Sequence, residues 1–176
     1  MIYFSDVYES SPEDIQYVKD TYTVPTAEWG GKYFSFQNYA VGHRDRSSKT
    51  ITNFADTALV KIYKPILNSV MRKHNFCQPG TGLYGLQDMW GEVYNDEIQT
   101  VGMSRQQTSP KVIASWVHLM DVPGESGLSF LSEDGQTLCP EHQNNSIIFF
   151  APGTQRCVDA VDSNRVFAAG NILKLM

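Results

Sequence analysis

The chain has 176 residues, within the usual size of one domain and enough to bury a core without disulfides or a structural metal. A hydrophobic content of 41%, an aromatic content of 12% and a mean hydropathy of -0.31, with no long uncharged apolar run, describe a packed, soluble protein and exclude a membrane-spanning helix. Lys and Arg total 14 against 19 Asp and Glu, a net charge of -5, and no Lys/Arg cluster interleaves with aromatics, so nucleic acid is not an expected partner.

Cys77, Cys139 and Cys157 are irregularly spaced and form no CxxC pair, which fits a reducing compartment and signals no zinc site. The segment MIYFSDVYESSPED carries acids where an export signal carries a basic region and then an apolar stretch. Cytoplasmic synthesis is the expectation.

After a short apolar start at Ile2 to Phe4, Ser11-Pro12-Glu13-Asp14 marks a helix N-terminus: a Ser cap, Pro at the first helical position and acids in the first turn. The helix is predicted to run to about Tyr22. Trp29-Gly30-Gly31 reads as a turn, and the aromatic stretch Tyr33 to Tyr39 as core under a sheet. Gly42 to Thr52 is polar and reads as exposed.

From Asn53, the residues Ala55, Leu59, Ile62, Ile66 and Val70 recur every three to four positions, which predicts an amphipathic helix ending near His74 and kinked at Pro65. Beyond the turn at Cys77 to Gly82 the pattern changes to short apolar runs. Strands are predicted at Leu86 to Tyr94, Val112 to Met120, Gly127 to Leu131, Ser146 to Ala151, Gln155 to Val161 and Arg165 to Lys174. Turns fall at Asn95-Asp96, Pro123-Gly124, Asp134-Gly135, Asn144-Asn145 and Asp162-Ser163-Asn164. Two helices followed by antiparallel strands make an α+β chain with a barrel or jelly-roll core: residues 1–80 a helical N-terminal support, residues 86–175 the β domain, all one domain.

Three stretches of the β half carry a resemblance to a known family. They are Asp88-Met89-Trp90-Gly91-Glu92-Val93-Tyr94-Asn95; Ile113 to Leu119 with Gly127-Leu128-Ser129-Phe130; and Ile147-Ile148-Phe149-Phe150-Ala151-Pro152 with Val158, Arg165 and Asn171-Ile172. Their order resembles the small phage-type 2-oxoglutarate/Fe(II)-dependent oxygenases, which are prolyl-hydroxylase-like. The resemblance covers about half the chain and implies a double-stranded β-helix, jelly-roll or cupin-like, with flanking N-terminal helices.

In such enzymes two His and one carboxylate hold the iron on one face of the site. The resemblance places the His-x-Asp pair at Met103 and Arg105, and the distal His at Arg156, or at Cys157 by the alternative count. A guanidinium stays protonated and repels a cation. Arg165 matches the family's arginine that grips the distal carboxylate of 2-oxoglutarate. Two residues on, Phe167 replaces a small hydroxyl residue, and His118 stands where a Tyr often lines the pocket. The chain is therefore similar to a degenerate member, with the pocket filled by Phe167 and Trp116 and no cofactor expected; the alternative is an active hydroxylase using Fe(II) and 2-oxoglutarate with unusual ligands.

His43-Arg44-Asp45 is a His-x-Asp that with His74, His118 or His142 builds a triad on paper, but it sits in a polar stretch and reads as a solvated loop. His118 alternates with Trp116 on one sheet face, read as the barrel interior, where a hydrogen-bonded core histidine is the plainer reading. Arg105, Arg156 and Arg165 are candidates to converge on a small anion; in the plainer reading Arg156 pairs with Asp159, Asp162 or another surface acid. Cys157 reads as a structural thiol. The function expected is binding, as a phage accessory or virion-associated protein that contacts a protein partner or other copies of itself, in the host cytoplasm or the virion.

Overall fold

A computed structural model of the chain describes residues 1–22, 57–76, 84–94, 100–105, 111–131, 134–138, 144–159 and 164–174. Among them the order is β1 (Ile2–Val7), α1 (Pro12–Tyr22), α2 (Thr57–Lys73), β2 (Tyr84–Tyr94), β3 (Thr100–Arg105), β4 (Val112–Asp121), β5 (Leu128–Leu131), β6 (Thr137–Leu138), β7 (Ser146–Phe150), β8 (Gln155–Asp159) and β9 (Arg165–Lys174).

The strands form a five-stranded sheet, β1-β7-β4-β9-β2, and a four-stranded sheet, β3-β8-β5-β6, with every pairing antiparallel. β4, β7 and β9 are buried along nearly their whole length, because one face meets the second sheet and the other meets the helices. This is the expected double-stranded β-helix. Three strands were not predicted: β1, β3 and the two-residue β6. The N-terminal part is thus not only helical, since β1 forms one edge of the larger sheet.

α1 starts as its sequence demands. The Ser11 hydroxyl accepts from the Asp14 amide at 3.1 Å, and Glu13 and Asp14 occupy the first turn. α2 buries Leu59, Tyr63, Ile66, Leu67, Val70 and Met71, one stripe at helical spacing. Pro65 faces outward, and the helix continues past it to Lys73. No helix among the described residues is long and apolar enough to cross a membrane.

Cross-strand register decides which side chains face which layer. Phe167 stands opposite Glu92 on β2 and Leu119 on β4, and Arg165 opposite Tyr94, so these residues share the face turned toward the second sheet. Ala168 stands opposite His118, and Trp116 opposite both Gly170 and Phe149. That set is on the other face, where the helices pack.

Candidate functional site

β2 sends Trp90, Glu92 and Tyr94 inward at alternate positions, a carboxylate between two aromatic donors. From the opposite sheet, β8 sends Arg156 to meet them. The Arg156 Nη2 group ion-pairs with Glu92 Oε2, which also accepts from Trp90 Nε1 at 2.9 Å. The Tyr94 hydroxyl donates to Glu92 Oε1 at 2.5 Å. Both carboxylate oxygens are thereby engaged. Burial alone drives the Arg156 pKa down, but Glu92 and Tyr94 together, through charge and hydrogen bonding, outweigh it and hold the guanidinium above its ordinary value. Arg156 therefore pairs with a fully buried Glu92, where a surface acid was the plainer expectation.

Arg165 and Phe167 lie beside this pair, and both are fully buried. The Arg165 Nη1 group donates to the Ser126 carbonyl at 2.7 Å, and its guanidinium carbon is 5.3 Å from the centre of the Tyr94 ring. The Phe167 ring packs 5.3 Å from that of Tyr94. Ser129 stands opposite Cys157 and Phe130 opposite Arg156, so Cys157, which is buried, is one residue out of step with the ion pair.

In β3, Ser104 is opposite Arg156 and Arg105 is opposite Gln155, with the ladder broken between Val101 and Ser104, where Met103 falls. Register therefore puts Arg105 out of step with Arg156. The side chains of Met103 and Arg105, like His43, Asp45, His142 and the aromatic stretch Tyr33 to Tyr39, lie outside the described residues.

His118 and Trp116 require correction. They were expected to line the same cavity as Arg165, but adjacent strand residues face opposite ways, and the register puts them on the helix side of the sheet. Tyr63 of α2 packs on both, at 4.9 Å from Trp116 and 5.6 Å from His118. His118 Nε2 lies 2.8 Å from the Tyr8 carbonyl, which only accepts, so that nitrogen carries the proton. Nδ1 then accepts from the Tyr63 hydroxyl at 2.6 Å. Burial lowers the His118 pKa to about 4 against the pull of its backbone partners, and burial also raises that of Tyr63 well above its ordinary value.

The described residues between the sheets do not fit an Fe(II) centre. The position assigned by resemblance to the distal His holds a cation, and the neighbouring carboxylate is already bound by three donors. Among the described residues no group of three or more His, Cys, Asp or Glu is placed to hold a metal.

Solved structures with this fold include a Pseudomonas putida prolyl-4-hydroxylase, 11% identical, with a TM-score of 0.50 over 70% of this chain and 68% of that one. Another is the viral collagen prolyl hydroxylase of Paramecium Bursaria Chlorella virus-1 in a 2-oxoglutarate complex, 12% identical, with a TM-score of 0.49 over 69% and 75%. No family model and no curated protein matches the sequence. The chain has the prolyl-4-hydroxylase-like fold of the 2-oxoglutarate oxygenases.

Proposed function

We propose that this chain is a catalytically silent relative of the 2-oxoglutarate oxygenases that acts by binding, as a phage accessory or virion-associated protein contacting a protein partner or further copies of itself. The observation that carries the reading is the ion pair of Arg156 with Glu92, closed in by Trp90 and Tyr94 where an oxygenase needs open ligands. Phe167 against Tyr94, and Arg165 tied to Ser126, support it by filling the cosubstrate side. The phage setting follows from the family resemblance alone.

The test is purification in the presence of Fe(II), followed by metal analysis and an assay for succinate formed from 2-oxoglutarate, alongside light scattering and crosslinking. The reading expects neither retained iron nor succinate, and a complex or assembly larger than the monomer. Turnover of 2-oxoglutarate, or a solitary monomer in lysate, would overturn it.

A further inference from the structure

One strand edge and one helix face take no part in the site between the sheets. β1 ends the five-stranded sheet, with β7 as its strand neighbour among the described residues. The Tyr8 amide donates to the Asn145 carbonyl at 2.9 Å. Antiparallel ladders alternate, so Phe4 and Asp6 also turn their backbone groups toward β7, while Ser5 and Val7 turn theirs outward. The outward amide of Val7 is covered by Asp6 Oδ1 at 2.7 Å. Asp6 is itself held by Lys73 at 2.9 Å and His74 at 3.0 Å. Ser5 has no such cover among the described residues.

α2 runs beside this edge and is basic, with Lys61, Lys64, Arg72 and Lys73 all exposed and no carboxylate among its 17 residues, in a chain whose net charge is -5. Between the end of β1 and α2 lies a cavity of about 320 Å³, with Val7, Tyr8, Pro65, Ile66 and Val70 among its walls and the Lys73 and Asp6 pair also lining it. Val7 and Tyr8 are 61% and 39% exposed, high for large apolar side chains. At about 100° per residue, Lys61 and Arg72 fall within about 40° of Pro65 around the helix axis, so both lie beyond the Pro65 wall of the cavity, with Lys64 further round. The acids nearest in sequence to β1 are Asp6, paired with Lys73 and His74, and Glu9, and Asp56 precedes α2.

We propose that β1 and α2 form a docking surface for an acidic, extended segment of a partner protein, which adds as a strand along β1, seats an aliphatic side chain in the cavity and sets carboxylates against Lys61 and Arg72. The proposal rests on the binding role inferred above and names the surface and the chemistry of the partner. Strand addition supplies main-chain hydrogen bonds from Ser5 outward and in place of the Asp6 cover on Val7, the cavity supplies an anchor, and the charges select the partner and speed encounter. A nucleic acid or an anionic membrane is drawn by the same charges but makes no use of a strand edge.

The experiment is selection of short random peptides against the full folded chain. Enriched sequences are expected to be rich in Asp and Glu with one aliphatic residue at a constant place. Their affinity is expected to fall about tenfold or more at high salt and in the Lys61→Glu/Arg72→Glu variant, whose exposed sites leave the melting temperature unchanged. The same peptide N-methylated at alternate amides keeps its charge, loses the ladder and is expected not to bind. No enrichment, enrichment without acids, or binding unchanged by charge reversal or by N-methylation would overturn the proposal, as would binding of phosphatidylserine vesicles or single-stranded DNA where no peptide is selected. Succinate formation would overturn catalytic silence without touching this result, and an empty selection would do the reverse.

Discussion

The guanidinium of Arg156 and the carboxylate of Glu92 meet between the two sheets with side-chain exposures of 1% and 0%. Each is the counter-charge without which the other could not stay there. Arg156→Met or Glu92→Met is expected to destabilise the protein by about 3–5 kcal/mol, because the remaining charge is stranded in the core. The double replacement by methionine removes both charges and is expected to recover most of that loss. Urea unfolding of the three variants checks this, and a double variant as unstable as the two losses summed would refute the pairing.

His118 gives the fold a pH dependence whose sign follows from its burial. Unfolded, the ring takes a proton below about 6.5, while in the fold it stays neutral down to about 4. Between those values the unfolded chain binds more protons, so stability is fully present above about pH 6.5 and declines as pH falls to about 4, a loss of about 3 kcal/mol at most. His118→Gln is expected to flatten that slope in urea titrations at stepped pH. An unchanged slope would assign it elsewhere.

Arg165 is fully buried, with its Nη1 group donating to the Ser126 carbonyl and Phe167 two residues on along the same strand face. Adding 2-oxoglutarate, citrate or phosphate is therefore expected to leave the melting temperature of the protein unchanged, since only a ligand that binds the native state raises it. A rise that Arg165→Ala abolishes would instead establish Arg165 as an anion site.

Phe167→Ala is expected to cost about 3–5 kcal/mol by leaving a hole against Tyr94. Chemical denaturation measures it. A loss below about 1 kcal/mol would mean that the layer collapses around the gap.

The hydroxyl of Ser11 caps α1. Ser11→Ala is expected to lower stability by about 1 kcal/mol, and Ser11→Asp to retain it. Thermal denaturation of the two variants gives the comparison.

Much of the fold was legible in the order of residues. Arg165 to Lys174 and the helix cap at Ser11 stand where predicted, because long apolar strands bounded by turn residues and Ser-Pro-Glu-Asp starts are strong local signals. Thr100 to Arg105 was missed since Thr-Val-Gly-Met-Ser-Arg has no aromatic or β-branched run; its pairing with β8 is tertiary. Alternation showed that Trp116 and His118 share a face, but the layer they face is set by the register of β4 on β9, which no local pattern encodes. Glu92 went unrecognised although its neighbours announced it. A carboxylate alternating with Trp90 and Tyr94 on a core strand demands a buried cation, and Arg156 was the arginine to try.

The pairing of Ile2 to Val7 with Ser146 to Phe150 bears on how the molecule is made. β1 leaves the ribosome before α1, α2 and most of the strands, yet the surface it completes does not exist until β7 has followed. It docks late, after β4, β7 and β9 have formed a platform, and contacts so distant along the chain are slow to find. Until then Ile2 has no Phe150 opposite it and Phe4 no Phe149 to stack on, so both stay exposed in the nascent chain. Run in reverse, the same topology makes β1 the first strand to detach: its amides exchange with solvent well before those at the centre of β4 and β9.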